Sequence, residues 1–304
     1  MTGVLDCLIV GGGPAGLTAA IYAARFRLSV QVIDAGRGRA ALIPCTRNHA
    51  GFPDGVSGPE LLARMRRQAL KYGARIEPGE VLALSRSDDG LLAETTVGAL
   101  AARTVLLATG VTNRGPAMPA ELHDAAIAAG RLRYCPVCDG FEVTDQDVAV
   151  IGTSEHGVRE ALFLRAYTRK VTLIAPSGQH ALTDAQAAAL GSAGVRLADG
   201  PAADFSMDDA GFSFASASGR LSFAAVYPAM GSIVHSDLAR GLGAALTDEG
   251  CIKVDAHQRT SHQGLYAAGD VVIGLDQISH AMGEAGVAAT TIRNDLAAKH
   301  DQFR

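Results

Sequence analysis

The chain opens with an apolar run that ends in a glycine-rich turn. The run covers residues 5–10, the turn covers 11–16, and an alanine-rich segment from about Ala15 to Arg25 has the period of a helix. A second apolar run follows over residues 29–33. Because the strands of a parallel sheet are buried on both faces and are joined by helices, this order predicts a βαβ unit.

The same order of elements recurs in the middle of the chain. A strand is predicted over 147–151, a glycine-containing turn over 152–157, a helix over about 158–167 and a further strand over 170–174. Alternating polar and apolar residues over 205–224 predict hairpin strands beyond them. Two such units predict an α/β protein with two Rossmann-like dinucleotide-binding domains.

The remaining segments indicate how the chain passes between the two domains. Residues 113–131 are predicted to cross into the second domain, and residues 251–255 are predicted to form a strand that returns to the first. We therefore expect the second domain, residues 114–238, to be inserted into the first, which comprises residues 1–113 and 239–304.

The composition is that of a globular protein. Of 304 residues, 48% are hydrophobic and 19% are charged, and the net charge is -4. This length suggests about two domains, and the charge gives no basic footprint for nucleic acid or an anionic membrane. The first apolar run lacks a preceding basic segment, and no apolar run approaches the roughly 18 residues of a membrane span. We expect a cytoplasmic protein that binds neither nucleic acid nor membrane.

Two cysteines, Cys135 and Cys138, lie two residues apart near the second βαβ unit. Thiols at this spacing indicate redox chemistry, because one sulfur can attack a disulfide and the other can resolve the mixed disulfide. Half of a zinc site, or a pair of buried thiols, is the alternative interpretation. A structural zinc site takes four ligands, however, and the other three cysteines each stand alone in the sequence.

The first glycine turn, residues 11–16, matches the G-x-G-x-x-G pattern of dinucleotide-binding proteins. Gly11 permits the tight turn, Gly13 lets the backbone approach a pyrophosphate, and Gly16 lets the helix pack on the strand. The helix N-terminus offers N–H groups and a partial positive charge to the phosphates. Asp34, at the end of the next strand, would accept hydrogen bonds from the adenosine ribose hydroxyls. The sequence therefore predicts a bound dinucleotide.

Four motifs occur in a specific order along the chain. They are the first glycine turn, the turn Ala108-Thr109-Gly110, the dithiol motif and the segment from Gly264 to Asp270. Together they resemble the low-molecular-weight thioredoxin reductase family of flavin disulfide oxidoreductases, over nearly the whole chain. The resemblance implies domains of the three-layer ββα type, FAD as cofactor and a homodimer.

The resemblance also implies which residues hold the flavin. Asp270 would hydrogen-bond the ribityl chain, and Thr109 and Gly110 would approach the adenine half or the pyrophosphate. Gln277 and Ile278 begin the last predicted helix and would offer N–H groups and a positive dipole to the flavin N1/O2 edge. The implied cofactor-binding set is Gly11, Gly13, Pro14, Ala15, Gly16, Asp34, Val81, Thr109, Gly110, Asp270, Gln277 and Ile278.

Three residues would carry the reaction implied by the resemblance. Cys138 would exchange electrons with the flavin, and Cys135 would exchange with a thioredoxin-like protein or a small dithiol or disulfide. Asp139 would move the proton as a general acid or base, which near neutral pH requires a pKa raised by burial. His280, in the last helix, could assist this step or be an ordinary helix residue, and we favour the ordinary role because nothing in its spacing points to the reaction.

The second glycine turn departs from the family pattern. Ser154 replaces the middle glycine, and Glu155 adds a negative charge where phosphates would lie. The family has arginines after the next strand that hold the 2′-phosphate of NADPH, whereas residues 175–180 read APSGQH. Losing two charge-assisted contacts of about 1.5–3 kcal/mol each would weaken NADPH binding by at least about a hundredfold. Arg159 or His180 could compensate, so the sequence leaves NAD(P)H use open.

Three functions therefore remain open. In the first, electrons pass from NAD(P)H through flavin and the Cys135–Cys138 pair to a thioredoxin-like protein. In the second, nicotinamide is absent: the protein resembles either dithiol oxidases, which pass electrons from a small dithiol to oxygen, or reductases fed by ferredoxin. In the third, the protein is a flavin-binding redox sensor with little turnover, which the presence of all three reactive residues disfavours.

Overall fold

The computed structural model describes residues 3–299, except for the side chain of Ser154. The chain forms two compact units. Unit 1 comprises Met1–Ala41, Gly58–Thr112 and Val234–Arg304, and unit 2 comprises Leu42–Ser57 and Asn113–Ile233. Unit 2 thus takes up two stretches of sequence that lie between the three stretches of unit 1.

Both units contain strands and helices. The strands are β1 (Leu5–Val10), β2 (Val30–Asp34), β3 (Arg75–Pro78), β4 (Val81–Ser87), β5 (Gly90–Thr95), β6 (Gly98–Leu107), β7 (Val111–Asn113), β8 (Val148–Ile151), β9 (Val171–Ile174), β10 (Arg196–Ala198), β11 (Ala203–Asp208), β12 (Gly211–Ser216), β13 (Gly219–Phe223), β14 (Ala225–Pro228), β15 (Ser232–Val234) and β16 (Leu265–Ala267). The helices are α1 (Pro14–Arg25), α2 (Gly58–Lys71), α3 (Ala120–Ala128), α4 (Pro136–Asp139), α5 (Ser154–Leu164), α6 (Asp184–Ser192), α7 (Asp237–Gly241) and α8 (Ile278–Ala297). Within residues 3–299, none of these helices has the length and apolar character needed to cross a membrane.

Unit 1 is organised on a seven-stranded sheet with the order β3-β2-β1-β6-β5-β4, in which β16 also pairs with β6. The pairs of β1 with β2, β1 with β6 and β16 with β6 are parallel. The pairs of β4 with β5 and β5 with β6 are antiparallel. The long strand β6 therefore joins the parallel half of the sheet to the antiparallel half.

Two layers cover the parallel strands of unit 1. On one side the alanine-rich helices α1 and α8 belong to one apolar cluster, in which Ala20 and Ala288 are fully buried. Small side chains let helices approach closely, which explains why so few large residues are needed there. On the other side, Leu91 and Ala93 of β5 belong to a second cluster. The predicted three-layer ββα arrangement is confirmed in this unit.

Unit 2 repeats this architecture on a smaller scale. Its parallel sheet has the order β10-β9-β8-β14. Helix α5 contributes Ala161 and Leu164 to the cluster on one side of the sheet. The antiparallel strands β11, β12 and β13 contribute Phe212, Phe214 and Phe223 to the cluster on the other side. The prediction of two Rossmann-like domains is confirmed.

The structure differs from the predicted elements in several places. Helix α5 begins at Ser154, inside the turn predicted over 152–157. Helix α5 ends at Leu164 rather than continuing to residue 167, because the chain closes into a turn there. Residues 251–255, all of them described, form isolated bridges and not the predicted strand, because their backbone bonds go to scattered partners such as Val271 and Arg259. The predicted crossing over 113–131 contains helix α3.

Candidate active site

The dithiol motif of unit 2 is a disulfide between Cys135 and Cys138, whose Cα atoms are 5.2 Å apart. Cys135 caps the N-terminus of the short helix α4, and Pro136 occupies its first position. Proline is favourable there because the N–H that it lacks would have no partner within the helix. The N–H of Cys138 lies 3.1 Å from Cys135 Sγ. A donor in this position would stabilise a thiolate on Cys135 when the disulfide opens.

Both cysteines are half-buried. Pro136 and Gly140 beside them are buried, whereas Val137 and Phe141 are exposed. Val137, between the cysteines, is 45% exposed, and Phe141, three residues beyond them, is 78% exposed. Asn48, from the stretch of unit 2 that precedes α2, donates its side-chain amide to Val137 O at 3.5 Å. The disulfide therefore lies in a half-buried segment that carries two exposed apolar side chains.

The carboxylate of Asp139 is held by two donors within unit 2. Arg133 Nη1 lies 2.8 Å from Asp139 Oδ2, and the Tyr227 hydroxyl lies 3.1 Å from Asp139 Oδ1. Burial raises the pKa of Asp139, although the Arg133 guanidinium and the Tyr227 hydrogen bond oppose that rise. Burial also raises the pKa of Tyr227 well above its usual range, so its hydroxyl remains a donor. Such a carboxyl keeps its proton to a higher pH than a solvated aspartate.

Most of the predicted cofactor residues of unit 1 lie at one edge of its sheet. The turn over 11–16 follows β1, Asp34 ends β2, Thr109 follows β6, and Asp270 follows β16. Because β1, β2, β6 and β16 are parallel, their carboxyl ends meet at the same edge. Open parallel sheets bind ligands in the crevice at this edge.

The first glycine turn has the shape that a pyrophosphate requires. A Cβ on Gly16 would overlap Gly11 O, and a Cβ on Gly11 would overlap Ala108 O. A Cβ on Gly13, which caps α1, would meet nothing within 4 Å, so the turn is open on that side. Pro14 occupies the first helical position, and Ala15 follows it. These residues fit the phosphates of a dinucleotide such as FAD.

Two carboxylates at this edge are each bound to an arginine. Asp34 Oδ2 accepts a hydrogen bond from Arg66 at 2.7 Å, and Asp270 Oδ2 accepts one from Arg39 at 2.6 Å. Arg39 also lies 3.1 Å from Asp276, whose pKa is raised by burial and by the charge of Asp270. An ionised carboxylate has about four acceptor positions, so both aspartates keep acceptor capacity for hydroxyl groups of a ligand.

The other predicted flavin residues occupy three places in unit 1. Thr109 donates its hydroxyl to His235 O at 2.6 Å, and Gly110 has a φ of +63°. Gln277 caps the 20-residue helix α8, and Ile278 is its first residue. Val81 begins β4, and its side chain is buried in the core.

His280 has a specific partner in unit 1. Its Nε2 lies 3.0 Å from Glu284 Oε1, one turn further along α8. Glu284 also accepts the N–H of Gly269 at 2.8 Å, and burial raises its pKa. This pair links α8 to the turn before Asp270, which supports the interpretation of His280 as a helix residue with a structural contact.

The second glycine turn, in unit 2, offers little to a 2′-phosphate. Glu155 lies exposed in the first turn of α5. His180 Nε2 lies 3.1 Å from Leu173 O and 3.0 Å from Ala198 O, so its ring is already bound to the backbone. Residues 175–180 contain no arginine or lysine. This loop does not fit the charged group that distinguishes NADPH.

Among residues 3–299, side chains that contact predicted site residues but were not predicted include Arg39, Arg66, Arg133 and Tyr227. Arg133 lies two residues before Cys135 in the sequence. This proximity to the dithiol motif is the sequence feature that could have indicated a role for Arg133 at the site. Tyr227 lies in an apolar strand, where a tyrosine is ordinarily a core residue.

Comparisons with known proteins agree with this geometry. The sequence model of the family described as pyridine nucleotide-disulphide oxidoreductase matches residues 5–285. A thioredoxin reductase from Mycolicibacterium smegmatis is 34% identical over 295 residues, which cover 88% of this chain and 89% of the relative. One from Streptomyces coelicolor is 35% identical over 285 residues, which cover 90% of this chain and 87% of the relative.

A solved structure gives the same result. The crystal structure of thioredoxin reductase from Streptococcus pyogenes has a TM-score of 0.89 and 29% identity, covering 98% of this chain and 100% of that chain. The length of the family match and the identity of these relatives show that the chain belongs to the pyridine nucleotide-disulphide oxidoreductase family, as a flavin disulfide oxidoreductase of the thioredoxin reductase group that uses FAD.

Proposed function

We propose that this enzyme exchanges electrons between FAD and a thioredoxin-like protein through the Cys135–Cys138 disulfide. The observation that carries the proposal is a half-buried disulfide followed directly by a partly buried carboxyl of raised pKa, that of Asp139. The names of the relatives support thioredoxin as the partner. We further propose that unit 1 is the FAD-binding domain, and that the enzyme is a cytoplasmic homodimer.

The residues of unit 2 would perform the exchange in two steps. The Cys135 thiolate attacks the partner's disulfide, its S–S bond breaks, and the departing sulfur takes the proton of Asp139. The Cys138 thiolate then attacks Cys135 Sγ, which re-forms the Cys135–Cys138 disulfide and releases the partner's second sulfur, protonated from solvent. The partner gains two electrons and two protons, and the cysteine pair loses two electrons. FAD, when bound, supplies the electron pair that restores the dithiol.

In unit 1, the residues of the cradle would bind and orient the cofactor. The glycine turn and the N-terminus of α1 hold the phosphates, and Asp34 accepts from the adenosine ribose. Asp270 would accept from the ribityl chain. Gln277 and Ile278 would direct the N-terminus of α8 toward the flavin ring, where its partial positive charge favours a reduced, anionic ring.

Replacing Phe141 by alanine tests whether the partner is a protein. We expect the KM for a thioredoxin-like protein to rise about tenfold, because a buried aromatic contact at an interface contributes about 1–2 kcal/mol. The KM for dithiothreitol should change little, since a small dithiol cannot cover an exposed ring. Steady-state kinetics with both substrates measure the difference.

The control for this experiment is Leu197→Ala, which removes a 48% exposed apolar side chain from the edge strand β10. Equal KM values for the protein partner in the wild type and Phe141→Ala would contradict docking at this surface. A protein partner that is not turned over at all would favour a small dithiol as the natural substrate.

A second candidate function dispenses with nicotinamide. The observation in its favour is the loop over 175–180, which has no arginine or lysine for a 2′-phosphate and whose His180 is bound to backbone carbonyls. In this function a small dithiol would deliver electrons through the Cys135–Cys138 pair, with oxygen as the acceptor. A ferredoxin-type donor is the related alternative.

Anaerobic reduction of the FAD-loaded enzyme distinguishes the two electron routes. We expect dithiothreitol to bleach the flavin absorbance. The NADPH concentration required for bleaching should be at least about a hundredfold higher than for a relative that has two arginines in this loop. NADH serves as the comparison that lacks the 2′-phosphate. Rapid bleaching at a low NADPH concentration would contradict the second function and support the first.

A further inference from the structure

We infer that Arg133 and Tyr227 are positioning residues that hold the Asp139 carboxyl beside the redox disulfide and control its proton. This inference rests on the proposed function, in which Asp139 is the acid of the exchange. It adds Arg133 and Tyr227 to the residues of the proposed reaction, although neither touches the reacting sulfurs. Each of the two donates a hydrogen bond to a different oxygen of the Asp139 carboxylate.

The first support is the geometry of the contacts. Arg133 Nη1 donates to Oδ2 at 2.8 Å, and the Tyr227 hydroxyl donates to Oδ1 at 3.1 Å. The same hydroxyl lies 3.3 Å from the backbone oxygen of Asp139. One donor on each oxygen fixes the plane of the carboxylate, so its rotation would break at least one bond.

The second support is that both donors are themselves held in place. Leu132 forms a parallel bridge with Val226, and the Arg133 N–H donates to Val226 O at 2.9 Å. The segment that bears Arg133 therefore runs beside β14, which bears the fully buried Tyr227. Side chains on paired backbone segments keep a constant separation, which pre-organises the site.

The guanidinium of Arg133 is anchored a second time. Its Nε donates to Gly130 O at 2.8 Å. Gly130 has a φ of +65°, and a Cβ there would lie 2.8 Å from Arg133 Nη2. A side chain at position 130 would therefore require the Arg133 guanidinium to shift, in addition to straining the backbone.

The charges around Asp139 have opposing effects. Burial is the largest influence and raises the Asp139 pKa, the Arg133 charge and the two donated hydrogen bonds lower it, and the Glu142 charge raises it. Glu142 lies in the turn after α4, and Arg47 Nη1 is 3.8 Å from its carboxylate. Without Arg133, only the Tyr227 hydrogen bond opposes burial and the Glu142 charge, so the carboxyl would stay protonated to a higher pH.

The consequence concerns the proton step of the exchange. When an S–S bond breaks, the departing sulfur leaves as a thiolate and takes the Asp139 proton, and the carboxylate that remains is stabilised by both donors. A loss of Arg133 makes Asp139 a weaker acid and delays its deprotonation. A loss of the Tyr227 hydroxyl also makes Asp139 a weaker acid, because it removes one neutral hydrogen-bond donor from the carboxylate.

Four variants test the inference, each in the wild type and in the Asp139→Asn background: Arg133→Gln, Arg133→Lys, Tyr227→Phe and Arg131→Gln. The first readout is the carboxyl C=O band in infrared difference spectra of the holoenzyme against pH, assigned to Asp139 by its loss in Asp139→Asn. The second is the pH profile of exchange with dithiothreitol, followed by acid quenching, thiol alkylation and mass measurement.

We expect Arg133→Gln to move the midpoint of the infrared band up by about 1–3 pH units, and Tyr227→Phe by about one. Arg133→Lys should restore most of the wild-type midpoint, since it retains the charge. Arg131→Gln is the matched control, because Arg131 donates to Ala224 O and Asp209 O and not to Asp139. The midpoint of the exchange profile should follow that of the band.

Two outcomes would overturn the inference. In one, Arg133→Gln and Tyr227→Phe slow exchange equally at every pH while the band keeps its midpoint, as a merely structural role predicts. In the other, the pH profile still moves in the Asp139→Asn background, which would assign the effect to another group such as Glu142. Tyr227→Phe changes one atom, so it decides the question if Arg133→Gln does not fold. If Asp139→Asn turns over at the wild-type rate, the proposed role of Asp139 fails instead.

Discussion

A serine in place of Cys138 should stop disulfide turnover and leave the partner covalently attached to Cys135. A hydroxyl cannot resolve a mixed disulfide, so the bond formed by Cys135 Sγ would persist. A serine in place of Cys135 should lower the turnover rate to the same extent, by about 10³-fold or more. This variant should form far less of the trapped adduct, because it lacks the sulfur that attacks the partner. Non-reducing electrophoresis and intact mass measure the adduct, and steady-state kinetics measure the loss.

The structure explains why the two cysteines should differ. Cys135 caps α4 and has the Cys138 N–H 3.1 Å from its sulfur, an arrangement that favours a thiolate on Cys135. Cys45→Ser is the matched control, since Cys45 is a partly exposed free thiol in the same unit. Cys7 is a poor candidate for any exchange, because burial raises its pKa to about 12. Adduct on Cys135→Ser but not on Cys138→Ser would show that the roles are reversed.

Local patterns predicted the parts of the fold that depend on neighbouring residues. The first βαβ unit follows from an apolar strand, a glycine turn and an alanine-rich helix, each recognisable within a few residues. Helix α6 was not predicted, although Thr183 and Gln186 form a capping box at its start. The prediction of a strand over 251–255 was wrong. The segment has the alternating pattern of a strand, but its backbone groups hydrogen-bond to several separate segments and not to one neighbouring strand.

The contacts around the site depend on pairing that no local pattern carries. Asp139 and Tyr227 are 88 residues apart in sequence, and they meet because the segment before α4 pairs with β14. Arg39 and Asp270 are 231 residues apart, and they meet at the shared edge of a parallel sheet. The dithiol motif could be predicted from spacing, whereas the groups that set the proton affinity beside it could be found only from the fold.

Asp139→Asn should lower the rate of disulfide exchange by about 10²–10⁴-fold, the range that a positioned proton donor contributes. Asparagine has the shape of aspartate and can still accept from Arg133, so the change removes the proton and little else. In the wild type, exchange steps that need the acid should slow as pH rises through the raised pKa of Asp139. This limb should be missing from the profile of the variant, as measured between about pH 5 and 9.

The same shift in pKa predicts an effect on stability with a definite sign. The pKa of Asp139 in the folded enzyme is raised above its ordinary value of 3.8. Between these two pKa values the folded enzyme keeps the Asp139 proton, while the unfolded chain has released it. The folded state therefore binds more protons in this window, and stability falls as pH rises from about 4 through the raised pKa. Asp139→Asn lacks this group, so the free energy of unfolding of the wild type should decline relative to the variant over that window. Denaturant unfolding at several pH values measures the difference, and a difference that is constant or grows with pH would mean that Asp139 is already ionised and cannot be the acid.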